Sequence, residues 1–84
     1  MSRAARELWL REAVSGIAGR SAAETGLHDD LGATIGLDSL GRLEVLAAVE
    51  EEFGFVFDDD DLTAASTLAR MLDAIDSQLA REEA

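Results

Sequence analysis

The chain has 84 residues, of which 18 are Asp or Glu and seven are Lys or Arg, and its net charge at pH 7 is −11. A chain this short folds as one domain with a thin core, which leaves little room for the sequestered active site of an enzyme. The absence of cysteine excludes disulfides and thiolate metal sites, and the acidic charge repels nucleic acid and anionic membrane surfaces.

The first predicted helix lies between Arg3 and Arg20. Its apolar residues recur at spacings of three and four, the pattern of an amphipathic helix with one side against a core: Leu10, Ala13, Val14 and Ile17. Gly16 and Gly19 each lower helix stability by about 1 kcal/mol relative to alanine, so we expect the helix to end near them.

Residues 20–38 are predicted to form a long loop. The loop has no sustained periodicity, and its isolated apolar residues are expected to pack back onto the core: Leu27, Leu31, Ile35 and Leu37. One short helical turn is compatible with this segment. His28 beside Asp29 and Asp30 is a weak metal-site pattern, and a polar surface role is favoured for these three residues.

The second main helix, which follows Asp38, has the clearest pattern. At about 100° per residue, five apolar residues share one arc that is expected to pack against the core: Leu43, Val45, Leu46, Val49 and Phe53. Glu44 and Glu51 lie roughly opposite, flanked by Leu40 and Ala47. Asp38 is the predicted N-cap, because its carboxylate can accept from free backbone N–H groups of the first turn.

The segment after the predicted helix end at Gly54 combines an extended link with an acidic turn. Residues 55–57 are expected to be extended and to anchor the chain to the core. Residues 58–61 are four aspartates, and a short helix is expected after them. The segment fails the calcium-loop pattern, because the positions that need glycine and glutamate hold Thr63 and Ala69.

The last predicted helix begins at a cap on Ser66 or Thr67 and has one apolar stripe: Leu68, Met71, Leu72, Ile75 and Leu79. Together these elements predict an all-α four-helix bundle with three main helices, one short helix and a long first loop, in a single domain over residues 1–84. Neither an apolar run of about 18 residues nor a signal-peptide pattern occurs, so we expect a soluble, cytoplasmic monomer.

Ser39 lies at the start of the second main helix. Free backbone N–H groups and the helix dipole favour an anion there, so a phosphate ester on the Ser39 hydroxyl would be stabilised. A catalytic nucleophile is disfavoured for two reasons. The G-x-S-x-G turn has a glycine two residues before the serine, whereas Gly36 lies three residues before Ser39. A catalytic triad also needs a base, and His28 is the only histidine. No catalytic residue is therefore expected, and a plain helix cap is the simpler alternative for Ser39.

The chain around Ser39 resembles the acyl carrier protein family. The resemblance covers about residues 8 to 80 and rests on Asp38-Ser39-Leu40, Leu43-Glu44-Val45, Glu50-Glu51-Glu52-Phe53-Gly54 and the acid-rich turn into Leu62. It implies that a phosphopantetheinyl transferase attaches 4′-phosphopantetheine to Ser39, between Asp38 and Leu40, and that the thiol of this arm carries acyl intermediates as thioesters. It also implies that acyl-loading and synthase-type enzymes with basic patches dock on the helix after Ser39, at Leu40, Gly41, Arg42, Leu43, Glu44, Ala47, Glu50 and Glu51.

The sequence departs from the family pattern at two places. The family usually reads D-L-G directly into D-S-L, whereas here Gly32 to Ile35 are additional and lengthen the loop beside Ser39. Many members place an acid after D-S-L, whereas this chain has Gly41 and then Arg42. Both departures favour a dedicated set of partners, and hence a discrete carrier of specialised, polyketide-like biosynthesis over the housekeeping fatty acid protein.

Three alternatives remain open from the sequence. One is a free-standing aminoacyl or peptidyl carrier of nonribosomal peptide-type biosynthesis, which differs in cargo more than in fold. The second is a non-enzymatic acidic interaction module in which Ser39 is only a helix cap, and the last is a calcium buffer.

Overall fold

The computed structural model describes residues 1–57 and 65–83. Within these ranges the chain forms four helices and no strand: α1 Arg3–Ala18, α2 Leu31–Ile35, α3 Ser39–Phe53 and α4 Leu68–Glu83. α1 contacts both α3 and α4, and α3 contacts α4. The predicted all-α bundle with three main helices is confirmed, and the short helix that the structure describes, α2, lies within the long first connection. The acidic turn and the short helix predicted between the last two main helices, up to Ala65, fall almost entirely on residues 58–64, outside the described residues.

α1 begins and ends at the residues that its sequence favours. The Ser2 hydroxyl accepts a hydrogen bond from the Ala5 N–H at 3.1 Å, which caps the first turn. Gly19 follows the helix with a φ of 71°, and its N–H donates to the Ser15 carbonyl at 3.0 Å. Left-handed backbone at this position favours glycine, so the predicted end of the helix near Gly19 is confirmed.

The loop after α1 is held to the helix by polar contacts. The Ser15 hydroxyl donates to the Arg11 carbonyl and accepts from the Ala22 N–H, each at 2.7 Å. Arg11 Nη1 donates to the carbonyls of Ala22 at 2.8 Å and of Thr25 at 2.5 Å. These bonds satisfy backbone groups that a loop would otherwise leave unpaired, and they order the segment that leads to α2.

α2 consists of Leu31 and the four residues that lengthen the loop in sequence, Gly32 to Ile35. Asp30 Oδ1 accepts from the N–H of Gly32 at 2.8 Å and of Ala33 at 3.3 Å, and so caps this short helix. Leu31 and Ile35 are buried, at 0% and 5% exposure. The predicted packing of the loop's apolar residues onto the core is confirmed, because Leu37 is buried and Leu27 is partly buried against the same cluster.

The core lies where α1, α3 and α4 meet. α4 contributes four residues with no exposed surface: Leu68, Met71, Leu72 and Ile75. Of the two caps predicted for α4, the Thr67 hydroxyl is the one that accepts, from the Arg70 N–H at 3.1 Å. Phe55 and Phe57 are buried and stack edge to face at 4.9 Å, while Val56 between them is 78% exposed, which confirms the predicted extended anchor.

None of the helices within residues 1–57 and 65–83 is both long enough and apolar enough to cross a membrane.

Candidate functional site

Ser39 is the first residue of α3, and its side chain is exposed. Asp38 caps the helix, since its Oδ1 accepts from the Gly41 N–H at 2.7 Å and its carbonyl accepts from the Arg42 N–H at 2.9 Å. The predicted N-cap is therefore confirmed. Asp38 performs the capping, and in the described part of the chain the Ser39 hydroxyl has no hydrogen-bond partner.

The backbone that leads to Ser39 is anchored by α2. Gly36 ends α2 with a φ of 72°, a conformation that glycine adopts without strain. The Leu37 N–H then donates to the Leu31 carbonyl at 3.2 Å, and the Leu37 side chain is only 2% exposed. Ser39 therefore comes two residues after a buried anchor, which fixes where its hydroxyl meets the solvent.

One side of α3 is exposed and carries most of the predicted docking residues. Leu40 and Leu43 are 64% and 53% exposed. Glu44, Ala47 and Glu51 are also exposed. We call these five residues the docking face: Leu40, Leu43, Glu44, Ala47 and Glu51.

The apolar pattern assigned Leu43 to the wrong side of α3. The pattern puts it on the packed arc with Val45, Leu46 and Val49, and these three are buried as predicted, whereas Leu43 is 53% exposed. At about 100° per residue, Leu43 lies about 160° round the helix from Val45, so packing Val45 into the core turns Leu43 toward solvent.

Three further residues predicted to dock partners are engaged within the fold. Gly41 is buried and Arg42 is half-buried. Glu50 is also half-buried, and its Oε2 accepts from the Phe57 N–H at 2.7 Å. This bond joins the last turn of α3 to the extended anchor that follows.

The role of Glu50 was missed because nothing in the sequence marks a bond between a helical acid and a backbone N–H seven residues later. The burial of Gly41 could have been found. At about 100° per residue Gly41 falls on the same side as Val45 and Val49, and a glycine on an apolar arc indicates close approach of another element.

The acids beside His28 act as local caps. Asp29 Oδ2 accepts from the Gly26 N–H at 2.9 Å, and Asp30 caps α2. His28 is exposed. Among residues 1–57 and 65–83, no three His, Cys, Asp or Glu side chains are grouped so that they could hold a metal ion.

The site fits the covalent attachment of a phosphate-linked group. Attachment through a phosphodiester requires an accessible hydroxyl, and Ser39 offers one that is exposed and not engaged by the described residues. The positive end of the α3 dipole lies at the same place and stabilises an added negative charge.

Comparison with known proteins assigns the family. The family model for a phosphopantetheine attachment site matches residues 8–75. An acyl carrier protein of Nitratidesulfovibrio vulgaris is 45% identical over 53 residues, which are 63% of this chain and 60% of that protein. The monensin polyketide synthase acyl carrier protein of Streptomyces virginiae is 36% identical over 63 residues, 75% of this chain and 72% of that protein.

An acyl carrier protein of Coprothermobacter proteolyticus is 36% identical over 56 residues, 67% of this chain and 68% of that protein. The family model spans most of the chain and includes all of α3. The chain therefore belongs to the acyl carrier protein family, whose members carry covalently attached 4′-phosphopantetheine.

Proposed function

We propose that this chain carries acyl groups on a 4′-phosphopantetheine arm attached to Ser39 and presents them to biosynthetic enzymes. The observation that supports this most directly is the exposed Ser39 hydroxyl at the start of α3, with Asp38 taking the capping role in its place. The arm supplies a terminal thiol, which forms thioesters with acyl groups and so gives thiol chemistry to a chain without cysteine.

Attachment of the arm requires a phosphopantetheinyl transferase. The Ser39 oxygen forms a bond to the phosphorus of coenzyme A that carries the pantetheine, while the pyrophosphate bond breaks. Adenosine 3′,5′-bisphosphate leaves, and the hydroxyl proton passes to a base of the transferase. In this proposal the chain supplies the acceptor hydroxyl and its rigid position, and it performs no catalysis of its own.

The attachment is tested by incubating the protein with coenzyme A and a broad-specificity transferase. We expect intact-mass spectrometry to show the addition of one phosphopantetheine to the wild-type protein and to Ser77→Ala, which removes an exposed serine from α4. We expect no addition to Ser39→Ala. A wild-type protein that gains no mass, with a transferase shown to modify another carrier, would rule out the proposal.

We also propose that the cargo is an acyl group of specialised, polyketide-type metabolism in the cytoplasm. The likeness to the monensin polyketide synthase carrier, which extends over 75% of the chain, supports this finer assignment. Mass spectrometry of the protein isolated from its source would identify the thioester. An aminoacyl thioester would instead assign the chain to nonribosomal peptide-type biosynthesis.

The proposed partners are the transferase, acyl-loading enzymes and synthase-type enzymes with basic patches. The docking face supports this, because it combines exposed leucines with Glu44 and Glu51 immediately after Ser39. Exposed apolar residues rimmed by charge are typical of transient protein interfaces. Gly41, Arg42 and Glu50 are proposed to act indirectly, by setting the shape of α3 and its surroundings.

A further inference from the structure

Arg42 lies on the side of α3 that faces the core, away from most of the docking face. At about 100° per residue, its direction from the helix axis falls between those of Val45 and Leu46, both of which are buried. Its side chain is half-buried, whereas Leu40 and Leu43 are more than half exposed. The positive charge of Arg42 therefore does not lie on the surface that the docking face would offer to a partner.

The guanidinium of Arg42 lies against the backbone that leads to Ser39. A Cβ atom on Gly32 would be 3.1 Å from Arg42 Nη2, 3.1 Å from Asp30 Oδ1 and 3.4 Å from the Leu37 carbonyl oxygen. The absence of a side chain at Gly32 therefore makes room for the guanidinium, and the Leu37 carbonyl is close to the same space. Leu37 is two residues before Ser39.

Arg42 forms no ion pair or hydrogen bond in the part of the chain that the structure describes, although Asp30 Oδ1 borders the same space at Gly32. Its Nε is buried and has no hydrogen-bond partner there. By contrast, the three arginines of α1 each lie within 3.1 Å of a carboxylate oxygen: Arg3, Arg6 and Arg11. A buried donor without an acceptor is unfavourable, so a negative group that bonds to the guanidinium of Arg42 would stabilise it.

Arg42 and Ser39 are neighbours on the surface of α3. Residues three apart on a helix have Cβ atoms about 5–6 Å from each other. Long side chains in helices extend back toward the N-terminus, which directs Arg42 toward the turn that begins at Ser39. A phosphodiester on Ser39 would place one negative charge within reach of an arginine, the side chain best suited to bind phosphate oxygens.

We propose that Arg42 is a positioning residue whose guanidinium binds the phosphodiester joining the arm to Ser39. This inference rests on the proposed modification of Ser39. Such a bond holds the root of the arm on the α2 side of Ser39 and leaves Leu40 and Leu43 clear for partners. Arg42 thus pairs with the chain's own prosthetic group and not with an acid on a docking enzyme.

The direct test is an NMR comparison of the wild-type protein before and after modification, with complete conversion verified by mass. We expect the guanidinium N–H resonances of Arg42 to shift downfield and their exchange with water to slow, and the phosphorus resonance of the arm to differ between wild type and Arg42→Gln. The Hε resonance of Arg70, which is exposed on α4, should not change. An unchanged Arg42 resonance in fully converted protein overturns the inference.

Variants separate phosphate binding from a purely structural role. We expect modification to raise the melting temperature of the wild type and of Arg70→Gln by about 4 °C, and that of Arg42→Gln by less than about 1 °C. Arg42→Lys keeps the charge without the planar, forked donors of the guanidinium and should show an intermediate rise. If Arg42 only supported the fold, Arg42→Gln would lower the melting temperatures of the apo and modified forms equally.

The outcomes distinguish this inference from the function on which it rests. If the transferase adds no mass to Ser39, both are wrong. If the mass is added and neither the Arg42 resonance nor the melting-temperature difference responds, the carrier function stands and the role of Arg42 is wrong. If Arg42→Gln does not fold, the change in the Arg42 resonance of the wild-type protein on modification still tests the inference.

Discussion

Gly41 keeps the start of α3 in close contact with the segment before it. A Cβ on Gly41 would lie 2.8 Å from Leu37 Cδ1 and 3.2 Å from Asp38 Oδ1. Leu37 is buried and cannot swing away, and Asp38 Oδ1 already binds the Gly41 N–H. The position of Ser39, between these groups in sequence, therefore depends on the absence of a side chain at residue 41.

Replacing glycine by alanine should have opposite effects in α1 and α3. Gly16→Ala adds a Cβ with no atom within 4 Å, so we expect a gain of up to about 1 kcal/mol in unfolding free energy from helix propensity. Gly41→Ala makes the same gain but overpacks the contact with Leu37, at a cost of about 1–3 kcal/mol, so we expect a net loss of up to about 2 kcal/mol. Urea unfolding followed by circular dichroism measures both. Equal stabilisation by the two substitutions would contradict the close packing at Gly41.

As an element, α3 has one packed side and one exposed side. Val45, Leu46 and Val49 hold it in the core, while the docking face remains exposed from its first turn to its last. Ser39 precedes both, at the capped end. A partner can therefore bind α3 without disturbing the packing that positions the serine.

Charge reversal on the docking face should slow association with the transferase. We expect Glu44→Lys and Glu51→Lys each to reduce the association rate constant several-fold at low salt, because exposed acids steer basic partners through a screened field. Glu12→Lys makes the same charge change at an exposed position of α1 and should have a smaller effect. Stopped-flow binding at a series of salt concentrations provides the rates. If all three variants behave alike, net charge and not the docking face controls association.

The sequence predicted the long helices better than the short one. Spacing and cap residues located α1, α3 and α4, because Asp38, Gly19 and Gly54 carry local signals that do not depend on the rest of the fold. α2 has five residues, too few to be stable alone, and it depends on the burial of Leu31 and Ile35. Tertiary contacts of this kind leave no periodic pattern.

In the candidate site, too, local features could be predicted from the sequence and contacts between separate segments could not. The start of the helix at Ser39 and its cap follow from the order of residues around it. The bond from Phe57 to Glu50 and the position of Arg42 against Gly32 depend on how separate segments meet in space. Neither could be obtained from spacing, because the partners belong to different elements.

At the scale of the whole molecule, ion pairs join the first helix to the last. Arg3 lies 2.5 Å from Asp76 and 3.1 Å from Asp73, and Arg6 Nη2 lies 2.7 Å from Asp76 Oδ1. The hydrogen bond to Asp76 raises the pKa of the Arg3 guanidinium above its already strongly basic value. The ion pair between Arg3 and Asp76 stabilises the fold at every pH below this raised pKa and is lost only in strong alkali. Raising the pH within the neutral range therefore does not remove its contribution.

Salt, in contrast, should weaken this contact between α1 and α4. Asp76→Asn removes the partner of two arginines, and we expect a loss of about 1 kcal/mol in unfolding free energy at about 0.01 M salt, which shrinks toward zero at about 1 M. Asp73→Asn removes the same charge from a side chain that is 73% exposed and bonded only to Arg3, so it should lose less at low salt. Because both substitutions relieve the net charge of −11 equally, their difference isolates the ion pairs from general repulsion. Urea unfolding at the two salt concentrations gives the four values, and a deficit of Asp76→Asn that persists at high salt would show that Asp76 acts through packing and not through charge.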